Sequence, residues 1–118
     1  MSTEVVIILS NFPDADAARK AVRTLVEERL VACGNLIPGV ESIYEWKGKM
    51  EASAEVMVLC KTTGLRAAEA QARLRALHPY EVPEILRIPV AEGWPDYLAW
   101  VAAQCRQIDT TALNQTDY

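Results

Sequence analysis

The residue pattern predicts an α+β domain, a ferredoxin-like split βαβ sandwich with a long β2-β3 hairpin and an additional C-terminal helix. Three observations predict it. The elements read in the order strand, helix, strand, strand, helix, strand, followed by one more helix. Segments 35–46 and 50–61 are both long and meet at Lys47-Gly48, a natural tight turn. The 118 residues, 51% apolar and 24% charged, suffice for one buried core and leave no room for a second.

The first strand is Val5-Val6-Ile7-Ile8-Leu9, a β-branched run without alternation that Ser10-Asn11-Phe12-Pro13 stops, as expected of a central strand covered on both faces. Pro13-Asp14 opens a helix, with Asp14 or Asp16 placed to accept hydrogen bonds from its free amides, where the helix dipole also favours an acid. Ala18, Val22, Leu25, Val26 and Leu30 recur at the three-and-four spacing of one face, with Arg19, Lys20, Arg23, Glu27 and Glu28 largely opposite. The helix is expected to run to about Ala32.

In residues 33–46, Leu36, Val40, Tyr44 and Trp46 share one parity and Ile37 and Ile43 the other, with Pro38-Gly39 marking a bend or bulge. The returning strand carries its apolar half in Val56-Met57-Val58-Leu59-Cys60. A second helix follows Thr62-Thr63-Gly64, where a threonine hydroxyl caps it; Ala67, Ala70, Leu74 and Leu77 form its buried stripe. His78-Pro79 ends it, because the residue before proline is pushed out of the helical region. Residues 85–90 read as a fourth strand near an edge, since Pro83 and Pro89 lack amide donors. Gly93-Trp94-Pro95 starts the last helix, with Trp94, Leu98, Val101 and Cys105 on one side. Gly34, Gly39, Gly48, Gly64 and Gly93 are dispersed and read as turn or bend positions. The domain is expected to occupy residues 1–106, and the polar, aperiodic tail 107–118 to fray.

The formal net charge of -4, with twelve Lys and Arg scattered among acids, opposes binding to a phosphate backbone, so no nucleic-acid partner is expected. Only five consecutive apolar residues follow Glu4, too few for a secretory or membrane segment, and a cytoplasmic protein without membrane association is the expectation. Cys33, Cys60 and Cys105 cannot all pair within one chain and form no CxxC motif, which fits small apolar side chains kept reduced.

At ~3.3 Å per residue the hairpin would extend roughly 40 Å. The first helix, about eighteen residues at ~1.5 Å each, spans only some 27 Å. Two helices therefore cannot cover the hairpin, whose far end carries Ile43, Tyr44, Trp46 and Met50 and leaves strand edges free; self-association follows.

His78 is the only histidine, and imidazole is the commonest side-chain ligand for copper or zinc; one ligand does not make a site, and the alternative is a hydrogen-bonded ring at a chain break. Lys61, Tyr80, Glu81 and Glu84 fall at element ends, where they would converge on a cleft between subunits, with Trp46 a further candidate from the hairpin. Such a set suits a small polar ligand, or equally a network of ion pairs and hydrogen bonds that fixes an interface. Trp46, Trp94 and Trp100 are otherwise expected as packing residues. Phosphate loops, nucleophile elbows, HExxH and EF-hand patterns are absent, so no catalytic residue is assigned and no enzyme is expected.

Four stretches together resemble the CutA family, the divalent-cation tolerance proteins: Val31-Ala32-Cys33-Gly34-Asn35-Leu36-Ile37-Pro38-Gly39, Ser42-Ile43-Tyr44-Glu45-Trp46-Lys47-Gly48-Lys49, Leu59-Cys60-Lys61-Thr62 and His78-Pro79-Tyr80-Glu81-Val82-Pro83-Glu84. With Tyr97-Leu98-Ala99-Trp100 the match extends over roughly residues 4 to 104. The resemblance implies a ferredoxin-like subunit and a tight homotrimer whose long hairpins pair edge to edge. It further implies divalent-cation tolerance, copper binding in some members, and no settled reaction. Copper ligands proposed in the family are a cysteine ending the first strand and two consecutive histidines before the proline; here those positions hold Ser10, Leu77 and His78. Cys33 matches a cysteine of the family's Ala-Cys run, and its soft thiolate suits Cu(I) if it lies near His78. The expectation is thus a non-enzymatic homotrimer with copper or another divalent cation as its metal. The alternative is a signalling-type trimer binding a small polar ligand in clefts between subunits.

Overall fold

The computed structural model describes residues 4–106, and the tail 107–118 that was expected to fray lies outside the described residues. The elements are β1 (Val5–Phe12), α1 (Ala15–Glu27), β2 (Cys33–Trp46), β3 (Lys49–Thr63), α2 (Gly64–Leu77), β4 (Ile85–Pro89) and α3 (Pro95–Gln104). One four-stranded sheet has the order β2-β3-β1-β4 with every pairing antiparallel, the mixed α/β sandwich that the element order predicts. Both expected caps form: Asp14 accepts from the Ala17 amide at 2.8 Å, and the Thr63 hydroxyl from the Arg66 amide at 3.3 Å.

Alternate residues of β1 and β3, Ile8, Phe12, Val56, Val58 and Cys60, point to one face and pack against Ala18, Val22 and Leu25 of α1 and Leu74 of α2. A smaller cluster joins Val5, Ala32, Val101 and Cys105, and so seats α3 against one end of the sheet. Ile7, Leu9, Met57 and Leu59 alternate with the core residues and remain half-buried, and Leu86 and Ile88 of β4 beside them are exposed. The expectation that β1 is covered on both faces therefore holds for one face and, through α3, only one end of the other. Among the described residues no helix is long and apolar enough to cross a membrane.

Four further expectations change. First, α1 ends at Glu27 rather than near Ala32: Arg29 takes a left-handed φ of 60°, and the Leu30 amide turns back to the Leu25 carbonyl at 3.0 Å. This is a Schellman closure with arginine at the position glycine usually holds, so the usual stop signal is missing. Leu30 stays in the core beyond the helix, because the reversal lets Ala32 bond the Lys61 carbonyl and start β2. Second, the bulge at Pro38-Gly39 sets two β2 residues against one β3 residue, between the pairs Ile37–Met57 and Val40–Glu55. Ile37 therefore shares a face with Val40, Tyr44 and Trp46, whereas Leu36 turns to the helix side.

Third, Gly34 is not a bend. A Cβ there would lie 2.7 Å from Val22 Cγ1 and 3.2 Å from Cys60 Sγ, so the missing side chain is what lets α1 approach β2. Fourth, none of the three tryptophans is buried within the chain; Trp94 is 73% exposed at the start of α3. The hairpin closes as expected at Lys47-Gly48, with φ of 51° and 79°, and gives the molecule a long axis of 58 Å against 31 and 21 Å.

Candidate functional site

The polar side chains gather where the loop 79–84 wraps the end of β1. Pro79 forces His78 into an extended conformation (φ -79°, ψ 135°), which turns its ring inward onto Phe12, centroid to centroid 4.2 Å, with 7% of the residue exposed. His78 Nε2 lies 2.8 Å from the Asn11 carbonyl oxygen, which can only accept, so Nε2 carries the proton. Nδ1 is then the free lone pair, and it accepts the Tyr80 amide at 3.2 Å. Burial holds the His78 pKa below its ordinary value, against the pull of the Asn11 carbonyl, which keeps the ring neutral.

Around this ring the loop is tied down residue by residue. Tyr80 donates its hydroxyl to Glu55 Oε2 at 2.8 Å, and burial with that carboxylate pushes the phenol up to about 12. Ser10 donates to the Glu84 carbonyl at 2.6 Å, and Asn11 Nδ2 to Glu84 Oε1 at 3.3 Å. Arg75 holds the Glu81 carbonyl at 3.1 Å, while the Glu81 side chain stays exposed. Asn11 is 6% exposed, yet its Oδ1 has no partner among the described residues.

The remaining candidates lie elsewhere. Lys61 pairs in register with Ile7 and Cys33, so roughly 13 Å of strand separates it from Asn11. There Lys61 contacts Asn35 Oδ1, and Cys33 Sγ shares a hydrogen bond of 3.4 Å with the Tyr97 hydroxyl, which that bond and burial push up to about 12. Trp46 pairs with Lys49 at the hairpin tip, roughly 20 Å along β3 from Glu55. One chain thus brings His78, Tyr80 and Glu84 together and sets Cys33 beside Lys61. It leaves Trp46 apart. Glu55, Asn11 and Tyr97 escaped the sequence reading; counting register back from Lys47-Gly48 through the bulge sets Glu55 opposite Val40, but its place just past the end of β1 follows only from the β1–β3 pairing.

As a metal centre within one chain the donors do not fit. Ser10 and Leu77 stand where two of the family's proposed ligands would be, and both His78 nitrogens are already hydrogen-bonded. Cys33 lies at the other end of the sheet, and among the described residues no three of His, Cys, Asp and Glu come together. All three cysteines are unpaired; burial raises Cys60 to about 12, which leaves that thiol inert.

Comparison with known proteins agrees with this architecture. The divalent-cation tolerance protein CutA of Thermus thermophilus is 44% identical over 80% of this chain and 92% of its own length. Protein CutA of Mus musculus is 46% identical over 75% of this chain, which spans 50% of that longer protein. The crystal structure of CutA from Xylella fastidiosa superposes with a TM-score of 0.85 at 41% identity, covering 86% of this chain and 98% of that one. The model of the CutA1 divalent ion tolerance proteins, a family named for ion tolerance and not for a reaction, matches residues 6–104, so the chain that carries this sheet and this latched loop belongs to that family.

Proposed function

We propose that the protein acts as a non-enzymatic homotrimer in divalent-cation tolerance, and that assembly through the open face of the sheet is its working state. One observation carries the reading. Ile7, Leu9, Met57, Leu59, Leu86 and Ile88 form a contiguous apolar sheet surface that one chain leaves without a cover, continuous with a hairpin that overhangs both helices. Monomeric proteins rarely expose such a patch. The two sheet edges, β2 and β4, are different strands, so an edge of one copy meeting the other edge of the next is a head-to-tail contact, which forms a ring where its rotation closes. The number three comes from the family.

The engagement of the one imidazole through both ring nitrogens supports a role without chemistry of its own. Three unpaired thiols support a cytosolic setting. Sedimentation of the purified chain at micromolar concentration tests the assembly: a mass three times 13.1 kDa is expected, and 13.1 kDa itself overturns the reading.

A second reading is favoured by the unpartnered Oδ1 of Asn11 beside Tyr80, Glu55 and Glu84. A buried acceptor on a side chain that also holds the Glu84 carboxylate suits a small polar ligand bearing N–H donors, taken at a cleft between subunits. A thermal-shift screen with amines, nucleosides and small anions tests it, since a ligand specific for the folded state raises the unfolding temperature. Retention of an amine-induced shift in Asn11→Leu would count against this site.

A further inference from the structure

We propose that His78 in this chain is the latch of the 79–84 loop and not a metal ligand, so that its association with cation tolerance does not run through imidazole coordination. A histidine that ligates a metal offers one nitrogen's lone pair to the ion and donates its other N–H to an outer partner. His78 has the outer donation, from Nε2 to the Asn11 carbonyl, but its lone pair on Nδ1 already accepts the Tyr80 amide. Coordination through Nδ1 would orphan that amide.

Coordination through Nε2 is no easier. It would break the bond to Asn11 and leave a buried carbonyl unpaired, while the proton moved to Nδ1 to face the Tyr80 N–H, donor against donor. Turning the ring away would also break the 4.2 Å stack on Phe12, which is itself fully buried. The neighbours supply no compensating ligands. Ser10 is engaged with the Glu84 carbonyl, Leu77 has no donor, and Glu55 is held by Tyr80.

The same geometry gives the ring a positive role. It joins three points, the Asn11 carbonyl at the end of β1, the Tyr80 amide in the loop and the Phe12 ring in the core. With the loop held there, Tyr80 reaches Glu55 on β3 and Glu84 reaches the Asn11 side chain. His78 is thus a positioning residue for the polar rim of the open sheet face.

Long-range proton–nitrogen spectra of the 15N-labelled protein at neutral pH test the assignment on the unaltered chain. Protonated Nε2 and bare Nδ1 are expected, both unmoved by excess Zn(II) or Cu(I). A metal-dependent shift or broadening of either nitrogen, or an Nδ1–H tautomer, overturns it. Hydrogen exchange at the Tyr80 amide gives a second readout. His78→Ala should speed it about tenfold, the loss expected for one buried hydrogen bond, and His78→Asn, whose amide oxygen can replace Nδ1 as acceptor, should restore part of the protection. Unchanged exchange in His78→Ala would remove the latch.

Discussion

Tyr80 reaches past the end of β1 to give its hydroxyl to Glu55, 2.8 Å away, and so ties the loop to the stretch of β3 that β1 no longer covers. The pair is half-buried, so Tyr80→Phe should destabilise the fold by about 0.5–1 kcal/mol, read by denaturant unfolding. The phenol is raised from 10.0 to about 12 in the folded state, so this stabilisation is complete below 10.0 and is lost as pH rises toward about 12. A spectrophotometric titration should show late phenolates from Tyr80 and Tyr97 in the wild type and one fewer in the variant.

His78 has the opposite sign. Its folded pKa lies below the ordinary 6.5, chiefly through burial, so the unfolded chain binds the proton first. Stability is full above 6.5 and falls as the pH drops below it. Unfolding midpoints measured across this range should decline in the wild type, and His78→Gln should flatten that part of the profile.

Gly34 sits where α1 touches the sheet, with a built Cβ only 2.7 Å from Val22. Gly34→Ala should cost about 1–3 kcal/mol through overpacking. Thermal unfolding measures it, and the smaller Val22→Ala should relieve part of the loss in the double variant, because the two positions share one contact.

Arg29 closes α1 in a left-handed conformation that glycine adopts freely. Arg29→Gly should therefore stabilise the chain by about 0.5–1 kcal/mol, the released strain exceeding the added freedom of the unfolded chain. A fall in the urea midpoint would contradict the closure described for residues 25–30.

Leu86 is 52% exposed on the open face. In an isolated chain Leu86→Glu would change stability by no more than about 0.5 kcal/mol. On an assembled face it buries a charge, and the sedimenting mass should drop toward that of one chain while the circular dichroism stays folded.

The long-period patterns were legible because they depend on neighbours along the chain. The unalternating run Val5-Val6-Ile7-Ile8-Leu9, the caps Asp14 and Thr63, the turn Lys47-Gly48 and the stop at His78-Pro79 all act within a few residues, and each lies where its chemistry places it. The candidate site was legible only in its loop. Within one chain Tyr80 and Glu84 share a locus with His78, while Lys61 and Trp46, expected to meet them in a cleft between subunits, lie elsewhere along the strands of the same chain.

Residue order by itself determined the order of elements, the hairpin's excess length and the family likeness, since propensity, turn chemistry and periodicity are local. Tertiary structure alone decided that one residue added at Pro38-Gly39 turns Ile37 to the open face, that an arginine ends α1, and that the lone imidazole is engaged on both sides. Those outcomes turn on which atoms meet across distant segments, as Asn11 and His78 do, and no window of neighbouring residues contains that information.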